Sequence, residues 1–92
     1  MEKAFYTFPA IIKKIGGNYG LYFCDLPGCI ATGNTLDEVI HLAKEGLAFH
    51  LFGMEQDGDT IPAPTPIDDI SLKDGEILCI LDANMAVARK TA

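Results

Sequence analysis

The chain has 92 residues, a formal net charge of −6 at pH 7 and 49% hydrophobic residues. This length predicts a single domain, residues 1–92, with a small core. The composition excludes a disordered chain, because the apolar surface is large enough to offset chain entropy. No apolar run approaches the roughly 20 residues that span a bilayer, so no membrane association is expected.

Negative charge is concentrated in residues 37–82, which hold eleven Asp or Glu and two Lys, a local net charge of −9. An acidic surface repels nucleic acids and anionic membranes, since both are bound through cationic side chains. The same surface attracts a basic partner and speeds its encounter. The charge pattern therefore favours a basic protein partner, and solubility alone is the open alternative.

The first third of the chain has the pattern of an antiparallel meander. Every even position from 4 to 12 is apolar, which is typical of a strand with one face on a core, and this predicts a strand over residues 3–14. Pro9 has no amide hydrogen, which favours an edge or bulged position for that strand. Second and third strands are predicted at Tyr19–Cys24 and Cys29–Thr32.

Two local motifs follow the second strand. Pro27 fixes φ and Gly28 relieves strain, a combination that predicts a tight turn between the second and third strands. Thr35 and Glu38 have the spacing of a capping box, in which the Thr hydroxyl accepts the Glu38 N–H and the Glu38 carboxylate reaches back to the Thr35 N–H. Asp37 and Glu38 also lie in the first helical turn, where carboxylates interact favourably with the helix dipole.

Helical spacing of apolar residues begins at Leu36 and predicts a helix that ends between residues 52 and 54, with Gly53 or Gly58 near its end. The following segment, residues 55–69, is predicted to be a loop. Alternating prolines in it resist regular structure and favour an extended chain on the surface.

The remaining elements complete the predicted fold. Ile67–Leu72 is predicted to form a helical turn, and Glu76–Leu81 a fourth strand whose continuous apolar run favours a central sheet position. The order predicts an α+β fold, βββα(α)β, with one main helix packed on a small mixed sheet. No structure is predicted for the last ten residues.

The residues form no convincing catalytic or metal site. A zinc site needs four ligands at matching spacing, whereas Cys24, Cys29 and Cys79 are accompanied only by His41 and His50, predicted on roughly opposite sides of the helix. A nucleophilic thiol needs a nearby base, and no such motif occurs. We therefore expect no metal, no cofactor and no enzymatic activity. Free thiols without an export signal predict a cytoplasmic protein.

Several linked motifs occur in a fixed order through residues 6–83. They are Phe8-Pro9-Ala10, Asp25-Leu26-Pro27-Gly28-Cys29, Gly33 with Thr35 and Asp37-Glu38, Asp57-Gly58, and Ile61-Pro62 with Pro64. In this order they resemble the HicB antitoxin family. The resemblance implies a partial ribonuclease H-like fold without ribonuclease activity, and a partner of the HicA type, a small basic toxin that cleaves mRNA and whose active surface the antitoxin covers.

The resemblance also defines what we expect of individual residues. Two-domain members carry a DNA-binding module after the last strand, whereas ten residues follow Asp82 here, so we expect no direct DNA binding from this chain. The residues predicted to face a partner are Asp25, Asp37, Glu45, Asp57 and Asp59. The residues predicted to specify the fold are Pro9, Pro27, Gly28, Thr35 and Glu38.

Two functions are compatible with the sequence. The first is a HicB-like antitoxin that neutralises a HicA-type toxin by occluding its active surface. The second is a stand-alone HicB-fold interaction or regulatory module that has no toxin and forms a homo-oligomer, a dimer or tetramer. In the second case the first strand, which carries little charge between Phe5 and Ile12, is the candidate pairing edge.

Overall fold

A computed structural model describes residues 3–91, which fold into four strands and two helices. The elements are β1 (Phe5–Ile15), β2 (Asn18–Phe23), β3 (Ile30–Gly33), α1 (Leu36–Asp57), a 3-10 turn (Ile67–Asp69), β4 (Glu76–Asn84) and α2 (Met85–Thr91). The α+β class is confirmed. The second helix, however, follows the last strand, and the segment before that strand forms only a single 3-10 turn.

The sheet has the strand order β3-β2-β1-β4, and every neighbouring pair is antiparallel. The prediction of a mixed sheet was therefore wrong. The predicted positions of two strands were also wrong, because β1 is central and β4 is an edge strand. The long apolar run of β4 reflects a strand that is apolar on both faces, although Ile77 and Ile80 are about half exposed.

Pro9 explains why β1 looked like an edge from its sequence. The ladder between β1 and β2 begins at Ala10, which pairs with Phe23, whereas Pro9 pairs only with Ile80 of β4. The proline therefore lies in the half of β1 that has a single neighbouring strand. There, the missing N–H breaks no ladder on the second side.

The core lies between one face of the sheet and α1. Phe8, Ala10 and Ile12 of β1 point into it, as the even-position pattern predicted, and meet Leu47 and Leu51 of α1, all of them 2% exposed or less. Burying one such Leu or Ile side chain contributes about 1.5–3 kcal/mol. One continuous core therefore holds the helix to the strands.

The caps of α1 are set by its flanking residues. The Thr35 hydroxyl accepts the Glu38 N–H at 3.1 Å, as predicted, but the Glu38 carboxylate accepts from the Asn34 N–H at 2.8 Å instead of closing the box on Thr35. At the other end Gly58 has φ of 73°, which a left-handed C-cap requires. The helix therefore continues three to five residues beyond the predicted end.

The connection between α1 and β4 approaches the sheet at two separate places. Thr65 is hydrogen bonded to Asp25 at one end of the sheet, and Lys73 lines a cavity with Tyr22 and Ile30 on the face opposite α1. Ile11 also lies on that face, yet it is only 4% exposed and is not part of the main core cluster. The connection therefore shields part of the second face.

The sequence analysis missed the terminal helix α2, which has only two turns and too few residues to show helical periodicity, although Asn84 before it is a favourable N-cap residue. Its start is fixed by Asn84, whose side-chain oxygen accepts the Ala86 N–H at 3.1 Å. Met85 and Ala88 are fully buried. Arg89 donates to both carboxylate oxygens of Glu55, at 2.7 and 2.9 Å, and so ties α2 to α1.

We expect Gly33→Ala to destabilise the chain, because a Cβ at this position would lie 2.8 Å from the Val39 nitrogen and 3.0 Å from its Cα. Relieving this clash requires a shift of β3 from α1, and such overpacking costs about 1–3 kcal/mol. Chemical denaturation measures the loss.

The matched control is Gly46→Ala on an exposed part of α1, where a new Cβ meets nothing within 4 Å. Alanine is preferred to glycine in a helix interior, so this variant should gain about 0.5–1 kcal/mol. Equal effects of the two substitutions would contradict the close approach of β3 and α1.

Candidate partner-binding groove

A cavity of about 590 Å³ lies between the end of α1, the β2–β3 turn and the first part of the connection to β4. Carboxylates from each of these segments line it, with the imidazole of His50 from α1. Its residues are Asp25, Leu26, Pro27, His50, Gly53, Met54, Asp57, Asp59, Thr60 and Pro62. We call this cavity the acidic groove.

The β2–β3 turn forms one wall of the acidic groove. The Leu26 N–H donates to the Phe23 carbonyl at 3.3 Å and the Leu26 carbonyl accepts the Cys29 N–H at 3.1 Å. Leu26 is 2% exposed and anchors the turn in the core, while Gly28 has φ of 85°, which confirms its predicted turn role. The wall is therefore a fixed part of the sheet.

The Asp25 carboxylate accepts hydrogen bonds from within the protein. One oxygen accepts the Thr65 N–H at 2.9 Å, and the other accepts the Thr65 hydroxyl. The residue is half-buried, so these bonds link the turn to the connection that passes beside it. A role of Asp25 in contacting a partner stays a prediction.

Asp57 and Asp59 form the opposite wall and are exposed. Their backbone is held by the C-cap, where Gly58 N–H donates to the Glu55 carbonyl at 3.2 Å and Asp59 N–H donates to the Met54 carbonyl at 2.9 Å. Within residues 3–91, neither carboxylate has a hydrogen bond or ion pair. The last turn of α1 contains no basic residue.

The position of these two carboxylates is electrostatically unfavourable for the isolated chain. The C-terminal end of a helix carries the negative pole of its dipole and favours cations. The two aspartates therefore add negative charge at this end of the helix, with no base in its last turn. A cationic side chain entering the acidic groove would offset this charge.

The other two predicted partner residues lie outside the acidic groove. Asp37 is exposed in the first turn of α1. Glu45 lies one helical turn from His41, with 3.4 Å between a carboxylate oxygen and Nε2, and lines a separate cavity with Asp82 and Val87. The structure thus brings three of the five predicted residues together and leaves Asp37 and Glu45 apart.

A second cavity beside the acidic groove was not predicted. Its volume is about 1000 Å³, and it is lined by Asp59, by the Arg89–Glu55 ion pair and by Tyr6, whose hydroxyl donates to Glu55 at 3.1 Å. The sequence signal was the lone Arg89 near the end of an acidic chain. Its partner could not be identified without the position of α2.

None of the three cysteines lines the acidic groove, and the three differ in burial. Cys29 is buried in the core, Cys79 is half-buried and Cys24 is exposed. Burial raises the pKa of the Cys29 thiol to about 11, and burial also raises the pKa of Cys79 and, together with the negative charge of Asp25, that of Cys24. All three thiols are therefore poor nucleophiles at neutral pH.

Residues 3–91 provide neither a metal-binding cluster nor a membrane-spanning helix. No group of three or more His, Cys, Asp or Glu side chains is placed to hold a metal ion. No helix in this part of the chain is long and apolar enough to cross a membrane. The candidate functional feature of the described residues is therefore the negatively charged surface of the acidic groove.

Comparison with known proteins identifies the family of this chain. The model of the HicB-like antitoxins of bacterial toxin–antitoxin systems matches residues 8–91. The chain belongs to the HicB-like antitoxin family. An uncharacterized 14.9 kDa protein of Haemophilus phage HP1 is 38% identical over 61 residues, which are 66% of this HicB-like chain and 46% of the phage protein. The match thus spans about half the length of that curated relative.

Two solved structures resemble this HicB-like chain. A chain of the HicA3 and HicB3 toxin–antitoxin complex is 30% identical with a TM-score of 0.66, and the alignment covers 83% of this chain and 95% of that one. A chain of a toxin–antitoxin complex from Streptococcus pneumoniae has a TM-score of 0.81 at 15% identity, covering 90% and 71%. At that identity the second likeness shows the fold alone.

We expect the stability of the chain to fall as pH rises from 9 towards 11. The ordinary thiol pKa is 9.0 and the folded pKa of Cys29 is about 11. Below pH 9 both states are protonated and stability is complete. Above it, the unfolded chain loses the proton first and is favoured. Thermal unfolding followed across this pH range measures the decline.

The control is Cys29→Ala. It lowers stability below pH 9 by opening a cavity, but its decline between pH 9 and 11 should be shallower than that of the wild type. A decline with the same slope in both proteins would assign the effect to other groups.

Proposed function

We propose that this chain is an antitoxin that neutralises a small basic, mRNA-cleaving toxin of the HicA type in the cytoplasm by covering the toxin's active surface. It acts by binding and not by catalysis. The observation that carries the proposal is the acidic groove on a HicB-like fold, with Asp25, Asp57 and Asp59 around one cavity. The similarity to a chain of the HicA3 and HicB3 complex supports the choice of partner.

Electrostatics explains how the groove would select such a partner. Complementary charge speeds diffusional encounter and penalises partners of the wrong sign, although it adds less to affinity. Leu26, Met54 and Pro62 provide apolar surface between the carboxylates. A Lys or Arg side chain can bury its methylene stem on that surface while its charged end reaches Asp57 or Asp59.

Two further expectations belong to this proposal. Direct binding of operator DNA is not part of it, because the acidic surface disfavours contact with phosphates. The partial ribonuclease H-like relationship of the fold is part of it, supported by a three-stranded meander followed by one helix that packs on the sheet. Asp37 and Glu45 stay secondary candidates for partner contacts outside the groove.

We expect the double variant Asp57→Asn/Asp59→Asn to associate more slowly with a HicA-type toxin. Loss of steering charge should lower the association rate about tenfold at low salt and flatten its dependence on salt concentration. Stopped-flow or surface-based kinetics at several salt concentrations measures both quantities, and rescue of growth under toxin expression tests the consequence.

The matched control is Asp68→Asn/Asp69→Asn, which removes the same charge from the exposed 3-10 turn outside the groove. This variant should associate nearly as fast as the wild type. Equal slowing by both pairs would show that only net charge matters. Failure of the wild-type chain to bind the toxin would reject the antitoxin function itself.

A second candidate function, a self-associating regulatory module without a toxin, is favoured by the edge of the sheet. β4 pairs only with β1 in the described sheet, contains no Pro or Lys, and leaves Ile77 51% and Ile80 44% exposed. Such an edge is open to strand pairing. The pairing edge proposed here is thus β4, since β1, the edge expected from sequence, is central.

Under this second function, the purified chain should behave as a dimer or tetramer in size-exclusion chromatography with light scattering. Ile80→Lys should shift it to monomer, because a charge on an edge strand opposes pairing. Ile15→Lys, at the exposed end of β1, is the matched control and should leave the mass unchanged. A monomeric wild type at high concentration would contradict self-association.

A further inference from the structure

We infer that Asp25 is a positioning residue: it shapes the acidic groove by holding Thr65, and partner contact falls to Asp57 and Asp59. The inference rests on the proposed function for the meaning of the groove, but the hold on Thr65 is a property of the free chain. The sequence predicted that Asp25 contacts the partner directly. We assign it instead the role of holding Thr65 in place.

The hydrogen bonds of Asp25 carry the first step. Both carboxylate oxygens are engaged by one residue, the Thr65 N–H at 2.9 Å and the Thr65 hydroxyl. Bonds to an ionised acceptor are roughly twice as strong as neutral ones. Asp25 and Thr65 are both half-buried, so the pair is partly shielded from water. A carboxylate satisfied in this way has less capacity left for a partner.

The place of Thr65 in the chain carries the second step. It lies near the middle of residues 58–75, the long connection that has only a 3-10 turn as regular structure. The segment before it, Ile61–Pro64, lines a cavity beside the half of β1 that has no β2 neighbour. Within residues 3–91, the side-chain hydrogen bonds that join this connection to the β2–β3 turn are the two between Thr65 and Asp25.

The geometry of the groove carries the third step. One wall is the β2–β3 turn with Asp25, and the facing wall contains Asp59, Thr60 and Pro62. Thr65 lies three residues after Pro62 and is hydrogen bonded to Asp25 in the β2–β3 turn. The Asp25–Thr65 pair therefore closes a bridge across the sheet end of the groove and sets how far apart its walls stand.

The contrast between Asp25→Asn and Asp25→Ala separates positioning from direct contact. Asparagine removes the charge but can accept the Thr65 N–H with its oxygen and donate to the Thr65 hydroxyl with its amide nitrogen. Alanine removes both bonds. Asp68→Ala, an exposed position in the same connection, is the matched control for an Asp-to-Ala change.

The first readout is hydrogen exchange of the Thr65 amide in the free chain. We expect Asp25→Ala to speed this exchange about tenfold and Asp25→Asn to change it less than about threefold, since one lost bond of about 1.4 kcal/mol corresponds to a factor of ten. Amides of α1 around Leu47 should stay protected in every variant, which confirms that each is folded.

The second readout is affinity for the HicA-type toxin used to test the proposed function. Asp25→Ala should weaken binding about tenfold and Asp25→Asn should restore most of it, while Thr65→Ala combined with Asp25→Ala should add little, because the two residues act as one unit. Unchanged Thr65 exchange in Asp25→Ala overturns the inference. So does an Asp25→Asn chain that binds as weakly as Asp25→Ala with Thr65 still protected, since that result assigns a direct charge contact.

A wild-type chain that fails to bind this toxin rejects the proposed function and leaves the exchange experiment to decide the positioning role. The two failures are thus distinguishable. Rapid exchange confined to Asp25→Ala supports the hold on Thr65, and equal exchange in all variants rejects it.

Discussion

A four-stranded sheet has two faces, and this chain has one long helix to cover them. α1 buries the face formed by Phe8, Ala10 and Ile12, and this packing fixes the position of every other element. The opposite face has no helix among the described residues, and the connection between α1 and β4 contacts the sheet through Asp25 and beside Tyr22 and Ile30.

The same constraint places the acidic groove. The connection leaves α1 at Gly58, passes the β2–β3 turn and is bonded there to Asp25. Carboxylates that are up to 34 residues apart in sequence, such as Asp25 and Asp59, therefore meet around one cavity. Asp57 also lies at the negative pole of α1, a position that favours a cation over a carboxylate.

Local features of the fold were readable from the sequence, and pairings distant in the chain were not. The cap at Thr35, the turn at Gly28 and the inward face of β1 each depend on a few neighbouring residues, and the structure confirms them. β1 was predicted to be an edge strand because of Pro9. The proline shows only that its own part of β1 has no neighbour on one side, and the rest of β1 lies between two strands. In the same way, charge and motif predicted a set of carboxylates to face a partner but not which of them share a cavity.

The pairing of β1 with β4 has a consequence for how the chain is made. Phe5 at the start of β1 lies opposite Asn84 at the end of β4. At about 5–20 residues per second, synthesis of the 79 residues from Tyr6 to Asn84 takes roughly 4–16 s. During this time the central strand lacks one of its two neighbours. The four-stranded sheet is therefore complete only after β4 has been made, and a nascent or clipped chain without β4 has no finished sheet on which to display the groove.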